Sequence, residues 1–113
     1  MIEMTFQVPN ELAERIQPLG PWLPTVIEVG LLGFRTRATA AASEVIDFLA
    51  TSPSPQAVME YHVSDETQMG LRRLLALNSE GLLSPEEQLE LDELAQLEHV
   101  LIMLKARIAN QSS

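Results

Sequence analysis

The chain has 113 residues, no cysteine and a net charge of −9, with 46% apolar and only 4% aromatic residues. That length holds one domain with a modest core, or a small domain with a helical arm. The lack of thiols excludes disulfides and thiolate metal sites, and the shortage of cations argues against non-specific binding to nucleic acid, whose phosphates require Lys and Arg.

A core poor in aromatic residues has to be built from Leu, Ile, Val, Met and Ala, which favours helix packed on helix. Residues 1–56 carry three basic and six acidic side chains, and residues 57–113 carry four and ten, so both halves are acidic. The first residues, Met1-Ile2-Glu3-Met4, lack the basic start and apolar run of a signal peptide. No apolar run approaches the roughly 18 residues of a membrane span. A cytoplasmic protein without a membrane partner is the expectation.

Residues 1–8 alternate. Ile2, Met4, Phe6 and Val8 share one side, and Glu3, Thr5 and Gln7 the other. This period of two predicts a short strand with one buried face, ended by Pro9. Asn10 then suits the N-cap of a short helix, Glu11 to Ile16, which Pro18, Gly20 and Pro21 stop. Trp22 to Phe34 reads as the next helix, apolar nearly all round, with Gly30 and Gly33 as packing glycines inside it. Such a helix must be buried in a large core or in a dimer interface, and a chain this small favours the dimer. Arg35 to Thr51 is also expected to be helical. The spacing leaves open whether it continues the helix before it.

Ser52-Pro53-Ser54-Pro55 reads as the one clear linker. Ser54 can cap a short helix to about Tyr61, and Ser64 a longer one from Asp65 to Asn78. Gly81 suits the left-handed position that closes that helix. The last long stretch, Leu82 to Ile108, opens with a strong start signal: Ser84 as N-cap, Pro85 in the first turn and Glu87 placed for a capping box. Acidic residues crowd its early turns, and Lys105 and Arg107 fall near its end, as the helix dipole favours. Leu94, Leu97, Leu101, Leu104 and Ile108 recur at steps of three and four, a heptad seam that needs a partner surface. The short turn before it predicts an antiparallel hairpin in which the seam closes on Met69, Leu71 and Leu75. Val100, Leu101, Ile102, Met103 and Leu104 are five consecutive apolar residues, more than one helical face can bury, so part of this run is expected to meet a second surface.

Catalytic and metal sites are not expected, nor a cofactor. His62 and His99 are the only histidines and stand in no ligand spacing, and the serines lack a nucleophile-elbow context. The acidic residues from Glu80 to Glu98 read as a solvated helix face.

The order strand, helix, tight turn, apolar helix over residues 2–34 resembles the ribbon-helix-helix family, most clearly in the run Thr5-Phe6-Gln7-Val8-Pro9-Asn10-Glu11-Leu12. The resemblance implies two chains pairing their strands into a ribbon that enters the major groove. Thr5 and Gln7 then read bases and Thr25, at the start of the second helix, faces phosphate. Ile2, Met4, Phe6, Val8, Val26, Ile27, Leu31 and Phe34 form the dimer interface. The acidic charge disfavours DNA as a partner.

The second half is similar to the C-terminal region of small bacterial, often cyanobacterial, antitoxin-like proteins. The matching residues are Leu83-Ser84-Pro85-Glu86-Glu87, Leu91-Asp92-Glu93-Leu94, Leu97-Glu98-His99 and Lys105-Ala106-Arg107. That resemblance implies a toxin-like partner protein. The sequence therefore predicts a mainly α chain with one short N-terminal strand, forming a ribbon-helix-helix-like dimer with a C-terminal helical hairpin. Residues 1–51 form the strand-helix-helix dimerisation region, 52–55 the linker and 56–113 the hairpin. The partner-binding residues are Val100 to Leu104. The expected function is that of a non-catalytic, antitoxin-like homodimer. The alternative is a helical structural or adaptor protein with no nucleic-acid binding.

Overall fold

The computed structural model describes residues 2–112. Their elements are α1 (Asn10–Ile16), a 3-10 segment (Gln17–Trp22), α2 (Leu23–Gly30), α3 (Ala38–Leu49), α4 (Pro55–Glu60), α5 (Asp65–Ser79) and α6 (Pro85–Ser112).

No strand occurs among the described residues. Residues 2–8 are irregular, and all but Val8 have exposed side chains. The expected N-terminal strand and the ribbon-helix-helix arrangement are therefore corrected. Alternation selects a strand only where a neighbour takes up its backbone N–H and C=O groups, and the rest of the described chain is helical or irregular.

The apolar helix expected over residues 22–34 is also shorter. α2 ends at Gly30, and Gly33 adopts φ +64° in the turn before α3, so the two helices are separate. Gly33 is thus a turn residue rather than a packing glycine inside a helix. A left-handed backbone is cheap only for glycine, and a helix cannot continue through it.

The core is one cluster. Trp22 and Val29 from the first part meet Ala38, Ala41, Val45 and Leu49 of α3, Val58 of α4, Leu74 of α5, and Leu94, Leu97, Val100, Leu104 and Ile108 of α6. α6 is the central element, packing against α2, α3, α4 and α5. Its heptad positions supply that face, so most of the seam is consumed within its own chain. The stretch 52–55 is fastened rather than loose: the Trp22 indole donates to the Pro53 carbonyl at 3.0 Å, and the Ser52 hydroxyl donates to the Pro18 carbonyl. Trp22 can be buried because its N–H finds this acceptor.

The start and stop signals act as the sequence predicts. Ser84 Oγ accepts from Glu87 N, and Glu87 Oε1 accepts from Ser84 N, both at 3.1 Å, which is a complete capping box. Ser54 and Ser64 cap α4 and α5 in the same manner. Gly81 takes φ +70°, Gly81 N bonds to Asn78 O and Leu82 N to Leu77 O, the Schellman closure that turns the chain from α5 into α6.

The hairpin is antiparallel. Arg73, near the end of α5, pairs with Glu87 at the start of α6, whereas Lys105 near the far end of α6 reaches Tyr61, just before α5. Its register differs from the expected one: Leu74 is fully buried and Leu71 half-buried, while Met69 and Leu75 face solvent. α6 also runs beyond Ile108 to Ser112, so Lys105 and Arg107 lie before the last turn. They serve as tethers, Arg107 approaching Glu28 of α2 at 3.8 Å.

Candidate functional site

α5 and α6 diverge on the side away from α3, and the non-helical residues Tyr61–Val63 close one end of the gap. The result is a cleft of about 470 Å³. Leu71, Leu94, Leu97, Leu101 and Ile102 give it an apolar lining, and Lys105, Gln68, His62 and Glu98 stand around them. The rim is pinned twice: Lys105 Nζ donates to Tyr61 O at 2.6 Å and Gln68 Nε2 donates to Val63 O at 2.9 Å. Tyr61 is further held by stacking on Phe48, with centroids 4.3 Å apart. Burial, and secondarily the Glu44 carboxylate, pushes its phenol above the ordinary value. The Thr67 hydroxyl donates to that same Glu44 at 2.9 Å, joining α5 to α3. An apolar cleft with a fixed polar rim is built to receive apolar side chains from outside.

On the other side of α6, Glu93 is a buried carboxylate. It accepts from Arg35 N at 2.9 Å, from Thr36 N at 3.1 Å and from Thr36 Oγ1 at 2.6 Å. Burial works to raise its pKa, but the hydrogen bonds from Thr36 and Arg35, with the Arg35 charge, outweigh it and hold the carboxyl below the usual range. Glu93 therefore anchors the α2–α3 turn to α6. The sequence offered it only as one acid among many on a solvated face. Its spacing is the missed signal: it directly precedes Leu94 on the inward seam.

A third feature is a polar hollow of about 650 Å³ lined by Arg35, Arg37 and Arg73. Glu86, Glu87 and Glu90 line it as well, and Arg73 is already paired with Glu87 at 3.1 Å. Its charges balance internally, so it is no phosphate cradle. Among the described residues, no three His, Asp or Glu side chains converge on a point where a metal ion would sit. No described helix is long and apolar enough to cross a membrane. His62 and His99 are both exposed.

The residues expected to act together are divided. Thr5 and Gln7 lie exposed on the irregular N-terminal segment, but Thr25 is buried inside α2 and cannot face phosphate. Of the residues expected at a dimer interface, Val26 and Phe34 pack against the chain's own core, and Val8 is half-buried. Ile2, Met4, Phe6, Ile27 and Leu31 are exposed. In the run Val100 to Leu104, Val100 and Leu104 are buried in the core and Leu101 is half-buried. Ile102 and Met103 remain 55% and 44% exposed. The five apolar positions thus split between an inward face and an outward one.

No protein-family model, no characterised protein and no solved structure matches this chain.

Proposed function

We propose that this chain is a non-catalytic interaction protein that forms a homodimer and binds a partner protein through its C-terminal hairpin, in an antitoxin-like setting. One observation carries the reading. Ile102 and Met103 stand exposed on a helix whose other apolar seam positions are spent on its own core. Large apolar side chains left outside beside an apolar cleft are the usual mark of a protein-binding surface. The partner has a basic surface, because this chain carries −9 and complementary charge speeds encounter and suppresses wrong partners.

The experiment is capture of the partner by the tagged full-length chain from native lysate, with wild type and Met103→Asp compared side by side. A basic protein retained by wild type and released by Met103→Asp, with unchanged helicity, supports the reading. Equal retention by both chains overturns the assignment of this face. The structural or adaptor alternative has the same surface and differs in its partner, which that capture identifies.

A further inference from the structure

The chain carries an apolar segment with nothing to pack on and an apolar cleft with nothing in it. Ile2, Met4 and Phe6 are 87%, 80% and 59% exposed, at every second position of a segment that joins no helix or sheet. The cleft between α5 and α6 is lined by Leu71, Leu97, Leu101 and Ile102. We infer that the cleft receives residues 2–6 of a second copy of this chain, so that two copies exchange N-terminal segments reciprocally. This rests on the homodimer part of the proposed function and specifies which surfaces form it.

Area favours this occupant. At roughly 200 Å² for each large side chain, the three expose on the order of 450 Å². Two segments in two clefts, with the matching cleft surface, bury on the order of 1,800 Å², which is within the range of stable specific interfaces. A cleft of about 470 Å³ admits a few side chains rather than a whole helix. The chain's own segment lies outside its own cleft, with residues 2–7 exposed. Exchange between identical chains about a two-fold axis closes the assembly at two copies and leaves neither segment bare.

Charge points the same way. Two copies at −9 repel one another. Residues 2–8 carry a single charge, Glu3, and the cation at the cleft mouth is Lys105. A nearly neutral segment can bridge two acidic bodies while leaving them apart. Added salt screens the remaining repulsion and strengthens the association.

Light scattering on the full chain, together with cysteine cross-linking, tests this. Because the natural chain has no cysteine, single sites report cleanly. Wild type is expected as a dimer at micromolar concentration, tighter at higher salt. Met4→Asp with Phe6→Asp is expected to give a monomer of unchanged helicity and melting temperature, since those side chains support nothing in their own fold. A mixture of Phe6→Cys and Ile102→Cys chains is expected to form the mixed disulfide faster than either chain alone forms its own. A wild-type monomer overturns both the exchange and the homodimer. A dimer that survives Met4→Asp with Phe6→Asp, or that forms no mixed disulfide, overturns the exchange alone and leaves the homodimer standing on another face. A Phe6→Cys/Ile102→Cys double variant that closes within one chain shows the segment folding into its own cleft, and also overturns the exchange.

Discussion

The side chains of Thr36 and Glu93 lie 57 positions apart in sequence and meet at 2.6 Å. The Thr36 hydroxyl donates to the carboxylate while accepting from Ala38 N, at the first residue of α3. One acid on α6 thereby fixes both the turn after α2 and the start of α3. Glu93→Gln keeps the shape but replaces one acceptor oxygen with an NH₂ group that faces donors. At least one buried donor then loses its partner, at a cost of about 1–3 kcal/mol. Urea denaturation of wild type and Glu93→Gln measures the difference. Equal midpoints and equal slopes show that the turn is held by other contacts.

The same carboxylate sets a pH dependence of known sign. Its folded-state pKa lies below the ordinary carboxylate value. Its contribution is therefore fully present above that ordinary value, roughly 4.3 for Glu, and is lost as the pH falls through the folded value. The stability gap between wild type and Glu93→Gln is expected to be constant near neutral pH and to close on acidification below about pH 4. Glu87, held low by its hydrogen bonds to Ser84 and Arg73, titrates with the same sign in both proteins and cancels in the comparison. A gap that widens in acid contradicts the assignment.

The turn between α5 and α6 gives a third prediction. No atom outside the neighbouring residues lies within 4 Å of where a Cβ on Gly81 would stand, so the cost of a side chain there is purely that of φ +70°. Gly81→Ala is expected to lower stability by about 1 kcal/mol, and Ser84→Ala, which removes half of the capping box, by a similar ~1 kcal/mol. Both are exposed positions, so neither change touches the core. Thermal melts of the two single variants and the double check this. A loss several times larger for either single variant points to a collapse of the hairpin rather than to a local effect.

Local signals in this sequence were readable where local physics decides the outcome. Ser84 with Glu87, Ser54, Ser64 and Gly81 bond to or bend the backbone within a few residues of themselves, and the structure has them as the sequence implies. The alternation of Ile2, Met4, Phe6 and Val8 failed because a strand is defined by a neighbour, which the pattern itself cannot specify. The apolar run from Trp22 to Phe34 hid the stop at Gly30 because composition does not reveal which glycine will take φ > 0. Glu93 was illegible as an anchor: its partners lie 57 and 58 positions away, and only tertiary packing brings them together.

The register of the hairpin illustrates the same limit and is itself testable. The i, i+3, i+4 pattern in α5 admits Met69 and Leu75 as readily as Leu74, and packing selects Leu74. Leu74→Ala is expected to cost about 2–5 kcal/mol, the usual range for a buried leucine. Leu75→Ala, half-exposed, is expected to fall within about 0.5 kcal/mol of wild type. The two substitutions are chemically identical and adjacent, so helix propensity cancels between them. Similar losses at both positions contradict this register.

Leu101 and Ile102 separate folding from association on α6. Leu101 is half-buried against the core and also lines the cleft, whereas Ile102 stands at the cleft edge, mostly in solvent. An aspartate at 101 has to lose water without gaining a partner, since its nearest cation, Lys105, is one turn on and already bonded to Tyr61 O. Leu101→Asp is expected to cost several kcal/mol, about 3–5 where the charge is fully enclosed. Ile102→Asp keeps its charge in water, and its own fold loses only the few tenths of a kcal/mol that aspartate costs in a helix, about 0.5. It does place a charge where an incoming apolar side chain would have to desolvate it. Ile102→Asp is therefore expected to melt within a few degrees of wild type while its dimer dissociation constant rises at least tenfold. Melting curves and concentration-dependent light scattering on the same samples read the two effects separately. An Ile102→Asp protein that associates as tightly as wild type removes this edge of α6 from any interface, whatever its melting temperature.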